Sequence, residues 1–325
     1  MKVLFLGRFA AGHAPRIVAH LTTAPDTEIL ADDSDAARLA PALAEADAVV
    51  GLTWRAGFPP APRLKLLQCI ATGVDRMDLA SVPGGVTLCN TLGHETPIAE
   101  YVIMTMLNLT HRLFHSVLSF RAGSWEASLQ GGGARHGELL GQTVGIIGYG
   151  GIGREVARRA APFGVRLLAA NRSPVGDAAP VERIYPLAEL DRMLPECDVV
   201  VIACALAPET QGLIDARHFA LMKPGAILIN IARGQVVDEE ALYTALRDGR
   251  LGGAAIDVWW RYPTPAEPQQ RPSRFPFHEL SNVLMTPHSS SYTEGTAERR
   301  FGAIIGNIDR LARGEPLVNV VTVTS

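Results

Sequence analysis

The chain has 325 residues, more than a single hydrophobic core usually organises, so two domains are expected. Hydrophobic residues make up 47% and charged residues 19%, with a formal net charge of -3, a balance that offers no electrostatic footprint for nucleic acid or a membrane surface and points to small-molecule partners. Cys69, Cys89, Cys197 and Cys204 lack metal-ligand or redox-pair spacing, which predicts packed, reduced thiols in a cytoplasmic protein, and no apolar run has the length of a signal peptide or a membrane span.

Along the chain, short apolar runs alternate with longer stretches of helical spacing, the pattern of parallel sheets covered by helices on both faces. A first series places strands at 3–6, 48–51, 66–70 and 87–89. The apolar, glycine-free stretch 97–118 then predicts one long helix passing from one domain to the next, with Pro97 in its first turn. A polar loop over 121–137 precedes a second series of strands at 144–147, 166–170, 199–203, 226–231, 254–258 and 283–285. The proline-rich loop 259–276 is long for a compact domain and predicts a functional or interface role.

The sharpest motif joins the first strand of the second series to a helix: Gly148-Tyr149-Gly150-Gly151-Ile152-Gly153. In a dinucleotide-binding turn the first glycine permits the tight bend, the second lets the backbone approach the pyrophosphate, and the third allows close helix–strand packing. The helix N-terminus presents N–H groups to the phosphates. Eighteen residues after Gly153, where an acidic residue would grip the ribose hydroxyls of NAD, stands Asn171, followed by Arg172 and Ser173. Arg172 suits a 2'-phosphate, and Asn171 and Ser173 are hydrogen-bonding neighbours, so NADP is the expected cofactor, with use of NAD left open.

From Leu221 to Gly234, then Val237 to Leu242, the chain resembles the most distinctive block of the D-2-hydroxyacid dehydrogenases. Ala255-Ile256-Asp257-Val258, Thr286-Pro287-His288 and the closing 314–321 are similar to further blocks in the expected order, and 71–75, Asn90-Thr91 and Ala99-Glu100 match weaker patterns. The resemblance implies an α/β fold of two Rossmann-like or flavodoxin-like domains with parallel sheets and an active site in the interdomain cleft. It assigns 1–97 with 289–325 to a substrate domain and 98–288 to an NAD(P)-binding domain. It also implies a homodimer paired through the cofactor domain, with 97–118 partly buried by the partner.

The implied reaction passes a hydride between a nicotinamide and the α-carbon of a 2-keto or 2-hydroxy acid. The resemblance assigns the substrate carboxylate to Arg233 and to backbone N–H groups near Gly73 and Val74; the planar guanidinium fork suits a carboxylate and polarises the adjacent carbonyl. It assigns proton transfer to His288, since imidazole titrates near working pH. It extends the cofactor site to Cys204, Ala232 and Asp257, although a merely structural role for a buried strand-end carboxylate remains open.

One position breaks the pattern. Five residues after the aspartate and before a proline, the family places a glutamate that pairs with the catalytic histidine; here Tyr262 precedes Pro263. A carboxylate favours the imidazolium and a neutral phenol does not, so His288 is expected to hold its second proton less readily. Tyr262 then preserves keto-acid reduction through a hydrogen bond, or Glu267, ten residues beyond Asp257, reaches back, or the substrate is one such as formate or phosphite that needs no general acid. A third class, a non-catalytic nucleotide sensor, is opposed by the retention of Arg233 and His288. Trp54, Arg55 and His94 are further pocket candidates, Trp54 as part of an aromatic lid, but an ordinary structural or surface role is the leading reading for each. Leading this field is a 2-keto acid reductase of the glyoxylate or hydroxypyruvate reductase kind.

Overall fold

The structure is a computed structural model that describes residues 1–133, 135–264 and 266–321; the end of the tail assigned above to the substrate domain, 322–325, lies outside the described residues. In chain order it runs β1 (Lys2–Leu6), α1 (Arg8–Val18), β2 (Asp26–Leu30), α2 (Ala36–Glu45), β3 (Ala48–Gly51), β4 (Leu66–Cys69), β5 (Thr87–Cys89), α3 (Glu95–His111) and α4 (Leu113–Arg121). Then follow β6 (Thr143–Ile147), α5 (Gly151–Ala160), β7 (Arg166–Asn171), β8 (Arg183–Pro186), α6 (Leu190–Met193), β9 (Val199–Ile202) and α7 (Ala216–Leu221). The chain closes with β10 (Ala226–Asn230), α8 (Glu239–Arg247), β11 (Leu251–Ile256), β12 (Val283–Met285) and α9 (Glu294–Arg313).

It divides into two compact units, Met1–Gly93 with Thr293–Ser325 and His94–Tyr292. The first holds a five-stranded sheet in the order β2-β1-β3-β4-β5, and every strand pair in it is parallel. The second holds a seven-stranded sheet in the order β12-β11-β10-β9-β6-β7-β8, again parallel throughout. Its central strands are buried on both faces because alternate residues feed different cores: Val199 and Val201 enter one cluster with Val144 and Ile146, Val200 and Ile202 the other with Ile147.

Two strands escaped the sequence reading, β2 and β8. Both lie at sheet edges, where one face meets water, and their sequences Asp-Thr-Glu-Ile-Leu and Arg-Ile-Tyr-Pro carry charges in place of an apolar run. The single helix expected over 97–118 is corrected to two. Arg112 adopts a left-handed conformation with φ 53°, and the Asn108 side chain accepts the Phe114 amide at 3.2 Å, capping the second helix and turning the chain. In α4 no residue is buried: Leu113, Phe114, Val117, Leu118 and Phe120 are all exposed.

Candidate active site

In the second unit, the residues singled out by sequence gather at one edge of the sheet, the carboxyl ends of its parallel strands. Across the sheet come His288 after β12, Asp257 after β11, Arg233 after β10, Cys204 after β9, Gly148 after β6 and Asn171 ending β7. The chain winds from β6 toward β8 in one direction and from β9 toward β12 in the other. The gap between β6 and β9 is therefore the topological switch point, where open α/β sheets bind ligands.

The glycine turn sits at that point, and each glycine has its own reason. Gly148 has φ +98°, and a Cβ on it would lie 2.5 Å from the Cys204 backbone nitrogen, so the turn after β6 passes directly against the end of β9. A Cβ on Gly153 would lie 2.2 Å from the Gly148 carbonyl oxygen, which fixes how tightly α5 enters. A Cβ on Gly150 would meet nothing within 4 Å. The middle glycine thus keeps space open above the first turn of α5, as a backbone approach to a pyrophosphate requires. Gly151 and Ile152 form the start of that helix. These residues fit a dinucleotide.

Asn171 is engaged with the backbone. Its Oδ1 accepts the Tyr149 amide at 3.1 Å and its Nδ2 donates to the Ser173 carbonyl at 2.9 Å, so its side chain ties the glycine turn to the loop after β7. The Tyr149 hydroxyl and the Arg154 guanidinium donate to carbonyls of the same loop, at Ala178 (3.1 Å) and Asp177 (2.7 Å). Arg172 and Ser173 are exposed on that pinned loop, with Arg172 ion-paired to Glu209. Cys204 is half-buried, and burial pushes its thiol up to about 11, so it remains protonated near neutrality; Cys69, Cys89 and Cys197 are buried and raised by the same cause.

Arg233 is presented by a clamp. The fully buried Asn230 accepts the Ala232 amide at 3.1 Å and donates to the Arg233 carbonyl at 3.1 Å, closing a small turn beyond β10. Half-buried Arg233 donates to the Ala232 carbonyl at 2.8 Å. Gly234 follows because nothing larger fits: a Cβ there would lie 2.5 Å from the Trp259 carbonyl carbon. That contact packs the Arg233 turn onto the Trp259-Trp260 segment. Trp259 and Trp260 in turn donate their indole N–H groups to the carbonyls of Thr286 (2.8 Å) and Val237 (3.0 Å).

His288 has φ +58°, an uncommon backbone conformation for a residue with a side chain. Asp257 holds it there. Fully buried, its carboxylate accepts the Thr286 hydroxyl at 2.6 Å and the amides of Ser289 at 2.9 Å and Ser290 at 3.0 Å, so it grips the chain on both sides of His288. Because Thr286 donates to Asp257, the Tyr101 hydroxyl is the donor in its 2.8 Å contact with Thr286. Burial pushes Tyr101 up to about 12, keeping that proton in place. Asp257 has no exposed surface and acts as a positioning residue for the 286–290 segment, the structural role left open above.

The Tyr262 hydroxyl lies 2.9 Å from Nδ1 of His288 and accepts the Trp259 amide at 3.2 Å. The long proline-rich loop therefore carries a tyrosine to the imidazole. Glu267 is exposed, in a turn whose backbone pairs it with Thr264. Asn230, Thr286, Ser289, Ser290, Tyr101 and Trp259 were not singled out by sequence. Their roles depend on hydrogen bonds between segments distant in the chain, which composition and spacing do not encode.

In the first unit, Gly73 and Val74 lie in the turn after β4. Contacts to carbonyl oxygens hold that turn: the Asn90 amide donates to Thr72 at 2.8 Å and the Met77 N–H to Val74 at 2.9 Å. Trp54 has the ordinary structural role that is the leading reading for it. Its ring is buried in the first unit's core with Phe58 and Ala61, and its indole donates to the Ser81 carbonyl at 3.2 Å. Arg55 pairs with Asp33 at 2.9 Å, and His94, the first residue of the second unit, immediately precedes α3.

A family model, the NAD binding domain of the D-isomer specific 2-hydroxyacid dehydrogenases, matches residues 103–290. The glyoxylate reductase of Thermococcus gammatolerans is 37% identical over 268 residues, 79% of this chain and 76% of the relative. A 2-hydroxyacid dehydrogenase from Ketogulonicigenium vulgare Y25 has the same fold, with a TM-score of 0.83 and 28% identity over 100% of this chain and 99% of the other. A probable 2-hydroxyacid dehydrogenase from Rhizobium etli CFN 42, solved with NADP, gives a TM-score of 0.79 at 26% identity, over 99% of this chain and 98% of that one. Two parallel α/β units and a dinucleotide turn at the switch point are the architecture of an NAD(P)-dependent oxidoreductase. The chain belongs to the D-isomer specific 2-hydroxyacid dehydrogenase family and is an NAD(P)-dependent 2-hydroxyacid dehydrogenase.

Proposed function

We propose that the protein reduces a small 2-keto acid, of the glyoxylate or hydroxypyruvate kind, with NADPH preferred. The observation that carries this reading is the Tyr262–His288 hydrogen bond of 2.9 Å. A held imidazole is the equipment for proton transfer, which oxidation of formate does not call for, so the site favours keto-acid chemistry over formate oxidation.

When bound, the nicotinamide supplies the hydride. Arg233 binds the substrate carboxylate and orients the carbonyl. As hydride reaches the carbonyl carbon, the π pair moves to oxygen, and His288 in its imidazolium form gives its Nε2 proton to that oxygen. Nδ1–H then donates to Tyr262, whose oxygen already accepts from Trp259, so the phenol positions the ring without adding charge. In the glycine turn, Gly148, Gly150, Gly151, Ile152 and Gly153 serve the pyrophosphate, with Cys204 and Ala232 bordering the same sheet edge.

The preference for NADPH rests on the absence of an acid in Asn171-Arg172-Ser173, and the Rhizobium etli relative binds NADP. The exposed apolar residues of α4 support assembly as a homodimer, which sedimentation velocity tests. The buried, protonated thiols agree with a reducing cytoplasmic setting.

Following nicotinamide absorbance with NADPH or NADH and a panel of 2-keto acids tests the proposal. Turnover of glyoxylate or hydroxypyruvate, with a higher kcat/KM for NADPH, is expected. No turnover of any keto acid, together with oxidation of formate or phosphite, would overturn it.

A further inference from the structure

The ion pair between Arg172 and Glu209 joins two loops that flank the glycine turn. Arg172 follows β7 and Glu209 lies in the loop after β9; in the sheet order β9-β6-β7 these strands stand on either side of β6, which carries Gly148. Neither partner is loosely placed. The loop after β7 is fixed by Asn171, Tyr149 and Arg154, as described above. The loop after β9 is fixed by the buried Thr210, whose hydroxyl accepts the Ala207 amide at 2.8 Å and donates to the Ala205 carbonyl at 2.7 Å. The guanidinium and the carboxylate are thus brought together by two rigid turns, while both side chains stay exposed.

We propose that Glu209 is a coenzyme-specificity residue, competing with the 2'-phosphate of NADPH for Arg172 and thereby weakening the preference that Arg172 alone would give. The proposal rests on the NADPH reading above and adds to it a residue outside the glycine motif. A phosphate that pairs with Arg172 must displace a carboxylate already held there and then lie beside its negative charge. The hydroxyl of an NADH ribose meets neither cost. The side-chain hydrogen bond from Arg172 holds the Glu209 carboxyl below the usual range, so it stays ionised and competes throughout the working pH range.

Nicotinamide fluorescence titrations of the full chain test this, comparing Kd for NADPH and NADH in the wild type, Glu209→Gln, Arg172→Gln and the double variant. Glu209→Gln should raise the NADH-to-NADPH Kd ratio by about fivefold, the scale of an exposed ion pair. In the Arg172→Gln background the same change should raise it by less than about twofold, as a pairwise coupling requires. A ratio unmoved by Glu209→Gln, or a rise undiminished in the Arg172→Gln background, would overturn the proposal. The wild-type ratio is a separate reading: if it favours NADH, the NADPH preference fails, while the change on Glu209→Gln still decides the role of Glu209.

Discussion

The Tyr262 hydroxyl contacts Nδ1 of His288 at 2.9 Å, in the position where family resemblance places a glutamate. A carboxylate there would stabilise the imidazolium by charge; the phenol stabilises it only as a hydrogen-bond acceptor, in competition with the Trp259 amide at 3.2 Å. Replacing Tyr262 with Glu should move the alkaline limb of keto-acid reduction upward by about one pH unit. Tyr262→Phe should instead lower kcat by about tenfold, a fraction of the roughly 10²–10⁴ that general acid catalysis contributes, and move the limb slightly downward, since an acceptor for the imidazolium is lost. A limb unmoved by the glutamate would show that residue 262 does not act on His288.

Gly148 and Gly150 are two residues apart, yet their alanine variants should fail in different ways. At Gly148 a side chain meets both a left-handed backbone and the Cys204 backbone nitrogen at 2.5 Å, so Gly148→Ala should cost about 2 kcal/mol or more of stability. At Gly150 the new methyl meets nothing within 4 Å of protein, so the melting temperature should hold while dinucleotide affinity falls by about tenfold or more. Thermal melts paired with cofactor titration separate the two. A Gly150→Ala protein that binds dinucleotide normally would remove the pyrophosphate from this turn.

What the sequence displayed and what it hid divide along a physical line. Continuous apolar runs announced the central strands, and the glycine turn announced itself because each glycine answers a local steric demand. The edge strands β2 and β8 were invisible because half-exposed strands need no apolar run. The break at Arg112 was hidden because an arginine in the left-handed conformation, rather than a proline or glycine, ends the first helix, while the Asn108 side chain caps the second. Asn171 and Asp257 were recognised as site residues, but their partners within the protein were not. Sequence showed polar side chains at strand ends, but only the fold shows their polar atoms engaged with backbone amides and the Thr286 hydroxyl.

Asn230 and Gly234 place the Arg233 backbone, and both are kept when the Arg233 side chain is changed. Arg233→Lys keeps the charge and loses the planar fork. It should lower kcat/KM for keto acids by about a hundredfold, a loss of about 2.7 kcal/mol in transition-state binding, with the melting temperature nearly unchanged. Steady-state kinetics with glyoxylate check this, and a loss below about threefold would argue that Arg233 does not hold the carboxylate.

Asp309 in α9 links stability to pH in the first unit. Burial alone would raise its carboxyl, but the hydroxyls of Thr22 (2.6 Å) and Thr23 (2.5 Å) and their amides (3.0 and 2.9 Å) all donate to it and carry it down to about 2. An aspartate in an unfolded chain titrates near about 3.9, so the folded state binds this proton less readily. The sign follows from linkage: the stabilisation is fully present above about pH 4 and is lost as pH falls through about 2, and it amounts to about 2 kcal/mol at neutral pH. Asp309→Asn cannot accept all four donors and should lose about that much at pH 7, measured by urea unfolding. The gap between wild type and variant should then narrow from pH 4 to pH 2, since protonation removes the same charge from the wild type. A gap that stayed constant across that window would mean that Asp309 is protonated equally in both states and that the four hydrogen bonds do not hold its charge.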